Sequence, residues 1–89
     1  MNHSPAPITR PLLTVERAAL AHSGKAHDAT YVRLLMALTD AGSAYEAADD
    51  GALHHAYPAD VADAKYYAVK RDYDRAGTAL SDYARSVAR

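Results

Sequence analysis

The sequence predicts an all-α protein: a short N-terminal helix followed by a long antiparallel helical hairpin, closed as a three-helix unit or as a dimeric four-helix bundle. Two observations carry that expectation. From Ala62 to Val87 the apolar residues stand at 62, 66, 69, 73, 76, 80, 83 and 87, alternating steps of four and three without a break. That is a heptad seam, with Tyr66, Tyr73, Leu80 and Val87 at one repeating position and Ala62, Val69, Ala76 and Tyr83 at the other. The same spacing joins Tyr31, Leu34, Leu38, Ala41, Tyr45 and Ala48. A stripe this narrow does not hold a helix in water by itself, so each must be laid on another.

Residues 1–8 carry two prolines among polar neighbours and are expected to form a flexible tail, with 9–89 as a single helical domain. Thr9 is placed to cap a first helix over about 10–22, with Pro11 in its first turn and Ser23-Gly24 at its end. Leu12, Leu13, Val15, Ala19 and Leu20 give it an apolar face that Glu16 and Arg17 keep narrow. Asp28 caps a second helix, 29–49, whose seam is widened by Leu35 and Gly42. Asp49-Asp50-Gly51 ends it, because acidic groups oppose the dipole at a C-terminus and glycine relieves a left-handed cap. Pro58 opens a third helix, about 59–88, with Asp60 and Asp63 near its positive end.

At 1.5 Å per residue the third helix is about 45 Å long and the second about 31 Å. In an antiparallel hairpin the last ten or so residues of the third helix are therefore expected to project past the start of the second. The seam flanks are Asp63, Lys65, Lys70 and Asp72 in its first half but Gly77, Ala79, Ala84 and Ser86 in its second, a change that suits burial under two neighbours. The first helix and a second copy of the chain are the candidates for that cover. Ala76, Leu80, Tyr83, Ala84 and Val87 are accordingly the candidate self-association residues, and a homodimer is the expected state.

Composition narrows the function classes. A chain of 89 residues with a net charge of -1 carries no overall field that would attract nucleic acid or an anionic membrane. At this size a single core buries only about 60–65% of the unfolded surface, and the absence of cysteine removes disulfides as a remedy. Seven tyrosines stand where phenylalanine and tryptophan, both absent, would fill a typical core. Arginine outnumbers lysine seven to three and aspartate outnumbers glutamate nine to two, a bias associated with GC-rich bacterial genomes. No segment approaches the roughly 20 apolar residues that span a bilayer and no signal-peptide core is present, so a cytoplasmic protein is expected.

The densest polar set, Asp49, Asp50, His54, His55, Tyr57, Asp60 and Asp63, falls at the hairpin tip. Adjacent histidines point apart in regular structure and no pair lies at i and i+4, so a solvated turn is expected there rather than a metal site, and no cofactor is expected. His22 and His27 around Ser23-Gly24-Lys25 do not make a phosphate loop, since Ala26 follows the lysine and no strand precedes it. There is no nucleophile elbow either, and the chain is not expected to be an enzyme. The run from Lys65 to Arg75 mixes bases with aromatics, but Asp72 and Asp74 interrupt it. Tyr67 lies off the seam, and Tyr57, Tyr67, Arg71 and Arg75 form the candidate protein-binding cluster, being of the residue types that concentrate binding energy. The sequence thus predicts a non-enzymatic protein-binding module, a small regulator or inhibitor docking on a larger bacterial assembly, of the kind a phage or mobile element encodes. The alternatives are an assembly or secretion component that multimerises through the hairpin, and a nucleic-acid-binding dimer using Arg71, Arg75, Arg85 and Arg89.

Overall fold

Residues 10–87, which the computed structural model describes, form four α-helices and no strand: α1 Thr14–Ser23, α2 Ala29–Asp49, α3 Ala52–Ala56 and α4 Ala59–Val87. The all-α hairpin is present, with α4 packed along α2. Thr9, the proposed tail and the last residue of the expected third helix lie outside the described residues.

The first helix begins four residues later than its spacing predicted, at Thr14 rather than 10, and Pro11 precedes it. The cause is a carboxylate. Glu16 Oε1 accepts the backbone N–H of Leu13 at 2.8 Å, which satisfies a free donor at the start of the helix. The same carboxylate takes both ends of the Arg10 guanidinium, Nη1 at 2.8 Å and Nη2 at 2.9 Å, and Arg10 Nη2 continues to Asp40 on α2 at 3.0 Å. Glu16, expected only to narrow the apolar face, is 1% exposed. Bidentate pairing and a backbone donor together offset the cost of burying the charge. The arginine beside it, aided by the Leu13 N–H, lowers the Glu16 carboxyl to about 2. Gly24, at φ 71, ends the helix by returning its N–H to the Leu20 carbonyl.

Asp28 caps α2 by accepting from Tyr31 N at 3.1 Å, and the helix ends at Asp49 as the acidic stop predicts. The heptad reading of α4 is visible in its burial. Ala62 is fully buried and Tyr66, Val69, Ala76, Leu80 and Tyr83 are half-buried, while the outward positions between them are exposed. Two tyrosine hydroxyls fix the register, Tyr66 donating to Asp49 at 3.0 Å and Tyr83 to Asp28 at 2.8 and 3.0 Å. The two ends of α2 are thus level with positions near 66 and 83 of α4. The overhang expected beyond the start of α2 does not form among the described residues. It lies at the other end, where α4 runs past Asp49 towards the tip, and α3 covers it. Gly51, at φ 95, turns the chain into this short helix, where the spacing predicts only a solvated turn. The α3 helix touches both α2 and α4. His54 of α3 meets Asp63 of α4 at 2.8 Å, and Lys65 Nζ lies 4.7 Å from the Tyr57 ring centroid.

The α2 helix serves two partners. Val32 and Met36 form the small core with Leu20 of α1, while Leu34, Leu38 and Tyr45 belong to the seam with α4. Residues two apart are about 200° apart round a helix, so α1 and α4 occupy nearly opposite sides of α2 and do not touch. The result is an open layer of helices. Its radius of gyration is 15.2 Å, against about 12 Å for a compact chain of this length.

Two outcomes follow. Glu16 titrates near its ordinary 4.5 in the unfolded chain and at about 2 in the folded one, so it adds stability above pH 4.5 that is lost as pH falls towards 2. Glu16→Gln should lower stability at neutral pH by about 2 kcal/mol in urea unfolding, the usual cost of orphaning buried partners. It should also flatten the decline between pH 4.5 and 2 relative to the native chain; parallel pH profiles would contradict the assignment. Tyr83→Phe should speed amide hydrogen exchange in the last two turns of α4 and leave α1 protected, because Tyr83 anchors that end of α4.

Candidate functional site

The tyrosines that replace a conventional core form a connected row across the hairpin. Tyr73 and Tyr45 stack, with centroids 5.4 Å apart and planes at 24°. Tyr45 meets Tyr66 at 5.8 Å and 56°, and Tyr66 meets Tyr67 edge-on at 5.9 Å and 86°. Such offset and edge contacts are the favoured arrangements of ring quadrupoles. The Tyr45 hydroxyl, with the Asp49 carboxylate, holds the Tyr66 phenol well above the usual tyrosine range, so it stays neutral and donating. Likewise the Asp28 carboxylate raises Tyr83, and the Tyr83 hydroxyl, with Tyr31 N–H, lowers Asp28.

The row is possible because α2 presents Gly42 opposite Tyr73. A Cβ there would stand 3.3 Å from Tyr73 Cε1, so glycine lets the ring lie close against the helix. Two open grooves meet at Tyr73. One, of about 440 Å³, is lined by Thr39, Gly42, Ser43, Tyr45, Glu46, Asp49 and Tyr73. The other, of about 470 Å³, runs towards the end of α4 past Leu38, Gly77, Leu80 and Arg85. Neither groove is predicted by the seam spacing. The available signal was Gly42 beside the seam of a tyrosine-rich hairpin.

Tyr67, Arg71 and Arg75 stand in single file at steps of four on the side of α4 turned away from α2, and all three are exposed. Tyr67 is 63% exposed. Tyr57 is exposed too, but it is not brought to them. It packs at Lys65, and positions 65 and 67 are about 200° apart round α4. Of the candidate self-association residues, Ala76, Leu80, Tyr83 and Ala84 are half-buried within the chain itself, and Val87 is exposed. Arg85 pairs with Asp82 at 3.1 Å. His54 is engaged by Asp63, and among the described residues no three His, Asp or Glu side chains are grouped to hold a metal ion. No helix among them is long and apolar enough to cross a membrane.

No protein-family model matches this chain, and no curated protein or solved structure matches it. The functional reading therefore rests on these surfaces.

Gly42→Ala tests how the row is seated. Alanine favours a helix interior over glycine by about 0.5–1 kcal/mol, and Tyr73, 37% exposed, has room to yield a few tenths of an ångström. The variant should keep its far-ultraviolet helicity and its stability while its near-ultraviolet tyrosine circular dichroism changes. A large loss of stability would show that Tyr73 cannot move.

Proposed function

We propose that the protein is a non-enzymatic protein-binding module, a small regulator or inhibitor that docks on a larger protein assembly through the outward face of α4. The observation that carries this reading is the file of Tyr67, Arg71 and Arg75. These are an exposed aromatic and two arginines, none of them in an ion pair among the described residues, on the side of α4 opposite the seam. Tyrosine offers large contact area with few rotors and a polar tip, and arginine offers a planar five-donor fork. Asp72 and Asp74 follow the helical period onto the two flanks, so the middle of the face is aromatic and basic and its margins are acidic. Such a centre and rim suit a partner surface with an apolar pocket and carboxylates beside it.

The site is carried by the most regular element of the fold. Its outward side chains are spared from the packing of α4 on α2, so they can change without disturbing the seam. Tyr67→Ala, and separately Arg71→Ala with Arg75→Ala, should weaken at least tenfold the binding of a partner protein isolated with the native chain, with helicity unchanged. Unaltered affinity in both variants would refute this face as the docking surface.

A further inference from the structure

We propose that the groove beside the C-terminal half of α2 is a second docking site, and that its occupant is a basic peptide segment of a partner protein, inserting one arginine or lysine side chain. The groove is walled by the stacked Tyr45 and Tyr73 rings and carries the carboxylates of Glu46 and Asp49, and no basic residue lines it. Positions 46 and 49 are neighbours on one side of the helix, about 5–6 Å apart at Cβ. Tyr66 holds Asp49 through one oxygen, Oδ1, at 3.0 Å. No protein donor reaches the other oxygen, or the Glu46 carboxylate, among the described residues. A cation entering here meets an oriented carboxylate, a free one, and tyrosine faces whose quadrupoles attract positive charge.

The chain already makes this contact once, where Lys65 Nζ sits 4.7 Å from the Tyr57 ring centroid. Gly42 keeps the groove wall in place, since its missing side chain is what allows Tyr73 to lie against α2. A second copy of the chain is a poorer occupant. Of its exposed arginines, Arg71 and Arg75 are flanked by Asp72 and Asp74, which would be carried against Glu46 and Asp49, while Arg85 is paired with Asp82 and Arg17 is held by the Leu12 carbonyl. A separate basic segment has no such conflict. This site is independent of the Tyr67 face: the two lie on different sides of α4 and use no residue in common.

The test titrates the isotope-labelled protein with an acetylated, amidated five-residue peptide alternating alanine and arginine, and with the same peptide carrying glutamine for arginine. Saturable amide shifts centred on Gly42, Ser43 and Glu46 are expected with the first peptide and not with the second. Glu46→Gln should weaken binding about fivefold or more, Tyr73→Leu about threefold, and Asp72→Asn not at all, with circular dichroism confirming helicity in each. Asp49→Asn retains an acceptor for Tyr66 and should weaken binding as Glu46→Gln does. Shifts spread evenly over the acidic surface, an equal loss in Asp72→Asn, or no saturable shift would each overturn the proposal. So would concentration-dependent shifts at Gly42 in the protein alone that vanish on Arg71→Ala with Arg75→Ala, since a second copy would then be the occupant.

Discussion

The register of α2 against α4 is the constraint on which the rest of the structure depends, and tyrosine hydroxyls at its two ends set it. Tyr83 reaches Asp28 at one end of α2 and Tyr66 reaches Asp49 at the other. A heptad stripe of alanines and tyrosines would tolerate a slip of one repeat, because small apolar residues recur at equivalent positions. A slip would strand both carboxylates and lift Tyr73 off Gly42. The polar tips of the tyrosines thus supply the specificity that an alanine-rich seam lacks. With the register fixed, the start of α4 must extend beyond α2, and α3 exists as its cover.

The second constraint is that α2 is shared. Its Val32–Met36 side packs on α1 and its Leu38–Tyr45 side on α4, and the two outer helices do not meet. Neither interface is large, so single polar contacts matter more than in a deep core. Glu16 shows how. One carboxylate starts α1, gathers the chain before it through Arg10 and, through the same arginine, ties α1 to Asp40 of α2. The openness that results leaves two surfaces free. One is the outward file on α4; the other is the tyrosine-walled groove on α2.

The hairpin was legible because periodicity reports burial directly: the positions at steps of four and three from Ala62 to Tyr83 are buried or half-buried, save Tyr73, which is more exposed but still lies against α2. The limits of α2 were legible as well, since Asp28 and Gly51 act through local backbone chemistry. The start of α1 was not. Thr9 and Pro11 make a proper local signal, but Glu16 overrides it through a partner six residues away that only a folded loop brings near. The overhang was misplaced for a related reason. Helix lengths give a mismatch and not its end; the end is chosen by two side-chain bonds, one of them spanning 55 residues. Of the candidate site, spacing alone placed Tyr67, Arg71 and Arg75 together, whereas the distance of Tyr57 from them follows from the path of the chain through α3, which no periodicity describes.

The tyrosine seam closes within one chain in this register. The most direct measurement is an isotope-filtered nuclear Overhauser spectrum on an equal mixture of labelled and unlabelled protein, reading contacts from the Tyr83 ring to Asp28 and from the Tyr73 ring to Gly42. Closure within the chain gives both contacts inside one molecule and neither between molecules. Contacts appearing only between labelled and unlabelled molecules would mean that α4 crosses to a partner, and that the register described here belongs to an exchanged dimer.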